Sequence, residues 1–171
     1  MTTIIRLLAL LGLLHGDAPS PTRSVLTMNV IAASAAATPE VPAELLLALA
    51  RTESSFDPTW VSRVEAGERV TGRWRSTRAA GTGPRFCGYL QTIARASWAL
   101  CLAQRDPFVA YTTARRELAG WLCAAGGDWR RALCGYGGGF ASMRARSCGS
   151  FPHRVLGRAA RLGWAPSRPA S

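Results

Sequence analysis

Apolar positions along the chain fall into blocks punctuated by proline, glycine and aspartate, and most blocks repeat at the helical period. "SVLTMNVIAASAAA" (24–37) predicts a short helix ended by Thr38-Pro39. "EVPAELLLALARTESSF" (40–56) predicts a second. Pro42 suits the first helical position, Glu44 suits the positive N-terminal end, and Asp57-Pro58 closes the run, since a residue before proline is pushed out of the helical region. In "CGYLQTIARASWALCLAQRD" the pattern predicts helix from about Gln91 onward. Asp106-Pro107 opens another helix, which Gly126-Gly127 ends. Asp128 caps a short helix, "DWRRALCGYGGGF", that three glycines end, and a last helix covers about 151–162.

The period changes in "WVSRVEAGERVTGRWRSTRAAGTGPRF" (60–86). Two short Val/Arg segments flank Glu65-Ala66-Gly67-Glu68, which predicts a β-hairpin followed by a glycine-rich loop. The fold class expected is therefore mainly α, a helical domain (24–165) with one small β-hairpin lobe. A tail follows at 166–171, and residues 1–23 precede the domain as a leader and the linker "DAPSPTR". The leader's leucine-rich run, Leu7 to Leu14, is too short to span a bilayer and suits the hydrophobic region of a signal peptide; a buried N-terminal helix is the other reading. No later segment is apolar enough to cross a membrane.

Charge narrows the partners. The 21 basic residues, all arginine, outnumber 10 acidic ones for a net +11. That excess suits nucleic acid, an anionic membrane surface or an acidic cell-wall polymer, although a GC-rich genome would produce the same bias. The arginines are spread along the chain without a nucleic-acid-binding motif, so no nucleic-acid partner is expected. Cys87, Cys101, Cys123, Cys134 and Cys148 show no Cys-x-x-Cys spacing, and only His15 and His153 could assist a metal. Two disulfides and one remaining thiol in an oxidising compartment fit better than a metal site. A single helix over 88–101 would hold Cys87 and Cys101 about 20 Å apart, which speaks against that pairing.

One residue stands out chemically. Positions three, four and seven before Glu53 are Ala50, Leu49 and Leu46, so Glu53 continues an apolar stripe, whereas Glu44 and Arg51 mark the polar face. Partial burial and the negative end of the helix both disfavour its carboxylate, raising its pKa toward what a general acid needs. The plain alternative is a solvated helix-end glutamate paired with one of the arginines.

Three segments taken in order resemble the lytic transglycosylase family related to goose-type lysozyme. They are "LLLALARTESSFDP", then "GYLQT" (88–92), then "GGDWRRALCGYGGG" in the place of the family's Ala-Tyr-Asn-x-Gly. The likeness covers roughly residues 40–160 and implies an α+β lysozyme-like fold with a substrate cleft. It implies Glu53 as the single catalytic acid/base, Ser54 beside it contacting substrate, Gln91 lining the cleft, and Tyr136 bonding near the carboxylate or the sugar. Ser55, Gly88 and Tyr89, within the same motifs, join the substrate-binding set. The family cleaves the MurNAc–GlcNAc linkage of peptidoglycan and leaves a 1,6-anhydro end. That implies glycan strands as partner, no metal or other cofactor, a monomer, and a periplasmic or secreted location without stable membrane insertion.

The chain departs from the family where Gly137 replaces the asparagine, where 60–86 is long and arginine-rich, and where Cys87 precedes Gly88. A hydrolytic muramidase on the same bond, or a non-catalytic wall-binding protein, are the alternatives. Hydrolysis usually needs a second carboxylate; Asp57, Glu65 and Glu68 are the nearest, and all read more simply as turn residues. Trp60, Trp74 and Trp129 could stack on sugars, while Trp98 and Trp121 fall at core spacing. Arg69, Arg73, Arg75 and Arg78 form a basic stretch suited to acidic polymers or simply to solvent.

Overall fold

The computed structural model describes residues 2–15, 23–65, 68–73, 86–93, 97–145 and 148–166. Helices α1 (Thr2–His15), α2 (Arg23–Ala36) and α3 (Ala43–Glu53) come first. Strands β1 (Trp60–Glu65), β2 (Glu68–Arg73), β3 (Phe86–Cys87) and β4 (Thr92–Ile93) follow. Helices α4 (Trp98–Ala103), α5 (Pro107–Ala124), α6 (Trp129–Ala145) and α7 (Phe151–Arg161) complete the chain. The mainly helical, lysozyme-like class holds.

The axis of the fold is α3. Every residue from Ala43 to Ala50 is buried, because α2, α5 and α7 pack around it. Glu44, expected on a polar face, is only 4% exposed; a helix wrapped on all sides has no polar face over its first two turns. Pro42 is extended (φ −74°, ψ 160°), so it stands just before the helix rather than as its first residue. Termination also differs in detail from the expected proline stop. Ser55 and Phe56 both adopt left-handed φ, 56° and 65°, and turn the chain before Pro58 is reached. Side-chain anchoring supports this strain, since Phe56 is buried in the core.

Between α2 and α5 a buried polar pair is fully satisfied. Tyr111 donates its hydroxyl proton to Asn29 Oδ1 at 2.8 Å, and Asn29 Nδ2 donates to the Val25 carbonyl at 2.8 Å. Burial pushes the Tyr111 phenol well above its usual range. On the N-terminal side, Leu10 of α1 is buried and Leu11 and Leu14 pack against the same core, with α1 lying on α2. Among the described residues, no helix is long and apolar enough to cross a membrane.

The sheet runs β2-β1-β3-β4, antiparallel throughout. Glu65 pairs with Glu68 at the end of the expected hairpin. The turn Ala66-Gly67, the segment 74–85 with Trp74, Arg75 and Arg78, most of the 17–23 linker and the tail from 167 lie outside the described residues, as do the side chains of Glu65, Glu68, Arg69, Arg73 and Trp98.

The helix expected from Gln91 is corrected. Residues 88–91 form a turn, with Gly88 at φ 75° and Gln91 at φ 50°, then β4 returns along β3, and α4 begins only after its cap Ser97. That folding back overturns the distance argument about the cysteines. Cys87 and Cys101 are bonded, their Cα atoms 5.3 Å apart. A second bridge joins Cys134 to Cys148, and Cys123 keeps an exposed thiol. The glycine run also fails to end α6. The chain kinks at Gly139 (φ 75°, ψ −172°) and resumes helix to Ala145.

Candidate active site

The helix end, the 88–91 turn, the kinked α6 and the start of α7 enclose a cleft of about 510 Å³. Thr52 and Glu53 of α3, Trp60 of β1, Gln91 of the turn, Gly137, Gly138 and Ser142 of α6, and Phe151 and Arg154 of α7 line it. Glu53, partly buried, is the only carboxylate among these lining residues, and Arg154 the only cation. A second cavity, about 460 Å³ between α1, α3 and α7, offers four leucines and three arginines but no acid. Of these two cavities, among the described residues, the first alone offers a general acid. Among the described residues no cluster of His, Cys, Asp or Glu could hold a metal ion.

The other motif residues converge on one short turn rather than on open space. Ser54 Oγ donates to the Tyr89 carbonyl at 2.8 Å. Tyr136 donates its hydroxyl proton to the Leu90 carbonyl at 2.6 Å. Gln91 Nε2 donates to the carbonyls of Gly88, at 3.1 Å, and Trp60, at 2.8 Å. Three successive carbonyls, of residues 88, 89 and 90, are thus each held by a side chain from a different motif. A turn whose own backbone cannot form a ladder is satisfied this way. Ser54, Ser55, Gly88, Tyr89 and Tyr136 consequently stand outside the cleft lining, while Glu53 and Gln91 are in it.

Gln91 brings an unusual acceptor. Both Nε2 partners are carbonyl oxygens, which fixes the orientation of the amide and leaves Oε1 buried without a protein donor. Tyr136 is pushed well above the usual tyrosine range, first by burial and then by the charges of Glu117 and Glu53. Its proton is committed to Leu90, so toward any other group its oxygen can only accept. Burial, followed by Asp57 and Asp106, raises Tyr89 as well.

Two glycines of the motifs meet close neighbours. At Gly88, positive φ is combined with a Cβ position that would overlap the Gln104 backbone, 2.8 Å from Gln104 Cβ. At Gly137, where the family has asparagine, a Cβ would press the Phe151 ring at 3.2 and 3.3 Å, so Phe151 covers that position here.

The remaining candidates settle elsewhere. Asp57 accepts from Thr59 N at 2.8 Å and Thr59 Oγ1 at 2.6 Å, a local turn outside the cleft lining. Trp129 packs edge-on against Trp164 at 5.6 Å and Trp121 tilts over Phe140 at 4.8 Å, leaving Trp60 as the tryptophan in the lining. Sequence reasoning missed Thr52, Ser142, Phe151, Arg154 and Arg158. Arg158 Nη1 donates to Thr52 Oγ1 at 2.7 Å, directly beside Glu53 in sequence. The one available signal was the spacing of 151, 154 and 158 on a single helix face, which by itself does not say what that face meets.

No curated protein and no solved structure shows significant similarity to the chain. The family model of the transglycosylase SLT domain matches residues 30–86, from α2 through α3 and its glutamate to the start of β3. The second and third motifs lie beyond that match; the second is tied to it through Ser54 and Gln91, and the third is tied to the second through Tyr136. That match, over about a third of the chain, supports an SLT-type lytic transglycosylase assignment.

Proposed function

We propose that this protein is a peptidoglycan lytic transglycosylase in which Glu53 alone serves as acid and then base. The observation that carries the reading is one half-buried carboxylate in a cleft whose described lining residues hold no second one. Glu53 first protonates the glycosidic oxygen between MurNAc and GlcNAc, and the bond breaks with oxocarbenium character at MurNAc C1. The MurNAc C6 hydroxyl then attacks C1 and returns its proton to Glu53, closing a 1,6-anhydro ring. No water is consumed, so no second carboxylate is required.

The surrounding groups suit these steps. Tyr136, close enough for Glu53 to bias its ionisation, has only acceptor capacity left, and an acceptor favours the protonated acid. Gln91 Oε1 is a buried acceptor without a protein donor in the wall of the cleft, and Trp60 lines the same cleft, where an indole can stack on a sugar. Ser55 is exposed next to this centre and would meet the glycan directly. Ser54, Gly88 and Tyr89 act as the frame that fixes Gln91.

A cell-wall family and two disulfides agree with an extracytoplasmic location. The leucine-rich segment has two readings, a cleaved export signal or the helix α1 retained on the core, and N-terminal sequencing of the exported protein separates them. The reaction is tested by mass spectrometry of muropeptides released by wild type and by Glu53→Gln. Ends lighter by one water than reducing ends, absent with the variant, are expected. Reducing ends would make the enzyme a hydrolytic muramidase, and equal release by both proteins would remove Glu53 from the mechanism.

A further inference from the structure

We infer that Arg154 is a carboxylate-recognition residue of the cleft, selecting glycan strands that carry a free carboxylate beside the scissile bond. The inference rests on the peptidoglycan reading above and adds a determinant of which strands are taken. It starts from the face of α7 that meets the cleft. Phe151, Arg154 and Arg158 recur at the spacing of one helical stripe, while Pro152, Val155 and Ala159, on the neighbouring stripe about 100° round the helix, are buried in the core. Each member of the exposed stripe has a different fate. Phe151 lies over Gly137, and Arg158 is held by its bond to Thr52. Arg154 lines the cleft, and no ion pair or side-chain hydrogen bond among the described residues engages its guanidinium.

A lone arginine facing a cavity is a planar fork of donors matched to a carboxylate, which it binds through two parallel bonds. Among the described residues lining the cleft the only acid is Glu53, which the proposed reaction requires in its protonated form at the first step. A substrate carboxylate is thus the partner that would satisfy Arg154 without drawing on the catalytic acid. Peptidoglycan offers that group in two places. The MurNAc lactyl carboxylate is free on strands stripped of peptide, and stem-peptide carboxylates are present on strands that retain it. Arg158 supplies the internal contrast, since the same side chain four residues later is already engaged.

Binding is best measured in the Glu53→Gln background, where cleavage does not consume the ligand, by calorimetry with four probes. These are peptide-stripped strands, peptide-bearing strands, and each of the two after its carboxylates have been amidated. Arg154→Ala should weaken binding to the unmodified strands roughly 10- to 100-fold, the range for a charge-assisted hydrogen bond, and leave amidated strands unaffected. Arg154→Lys should recover part of the loss, because it restores the charge without the fork. Loss confined to stripped strands identifies the lactyl carboxylate as the ligand, and loss confined to peptide-bearing strands identifies the stem peptide. Equal binding with and without Arg154 on every probe overturns the assignment, as does the same loss on amidated strands. If wild type cleaves no strand and Glu53→Gln binds none, the peptidoglycan reading itself has failed. If wild type cleaves all strands and Arg154→Ala binds and cleaves them equally, only the role of Arg154 has.

Discussion

Two cavities flank the last turn of α3, and the same two helices build both. On one side α3 and α7 contribute Thr52, Glu53, Phe151 and Arg154; on the other they contribute Leu47, Ala48, Arg51, Arg158, Arg161 and Leu162. The volumes are similar, about 510 and 460 Å³, so size does not distinguish them. What differs is the third contributor. The front cleft is closed by the 88–91 turn and α6, which bring a buried amide acceptor and a tyrosine within the influence of Glu53. The rear cavity is closed by leucines of α1. Identical helices therefore become an acid site or an apolar, basic recess according to what is folded against them.

The largest expected effect separates the two sides outright. Glu53→Gln should lower glycan cleavage at least 100-fold, about the loss of a general acid, while Arg161→Ala in the rear cavity leaves it unchanged; muropeptide release measures both. Next comes a matched pair of tyrosines. Tyr136→Phe and Tyr111→Phe each orphan a buried acceptor and should each cost about 1–3 kcal/mol in denaturant unfolding. Only Tyr136→Phe should also depress cleavage, because only its partner lies in the turn that carries Gln91. Smaller still is Thr52→Val, which removes the Arg158–Thr52 bond running from the rear arginines to the front cleft. It should cost about 1 kcal/mol and a few-fold in activity.

The least effect near neutrality belongs to alkali. The phenols of Tyr111 and Tyr136 are both raised above their unfolded value of about 10. Stability from keeping them protonated is complete below that pH and is lost as pH rises toward the folded values, where the unfolded chain binds fewer protons. Thermal melts should accordingly hold steady below about pH 10 and fall above it. Tyr111→Phe and Tyr136→Phe should each flatten part of that fall.

How much of this was legible depended on whether local or distant contacts decided a conformation. The period of 43–53, the Asp106 cap and the 60–73 hairpin are local matters, and the sequence pattern identifies them correctly. The pattern alone makes Gln91 helical, whereas its left-handed backbone is held by Nε2 bonds to Trp60, 31 residues away, and to Gly88. Glycines at 137–139 looked like a helix end. Resumption of helix is favoured by Met143 in the core and Phe140 against Trp121, contacts invisible to propensity. The resemblance marked Ser54 and Tyr136 for the right neighbourhood. It could not show that both hydroxyls would be committed to backbone carbonyls.

The turn at 88–90 has a consequence for when activity can exist. Its Tyr89 and Leu90 carbonyls are gripped from positions 35 and 46 residues distant, one before the turn and one after it. Contacts of such separation form late and together, because the loops must close before any bond compensates the lost chain entropy. A partly folded or incompletely translocated chain would hold Glu53 at a helix end with no organised wall opposite. On the proposed function, cleavage would thus be latent until the fold is finished.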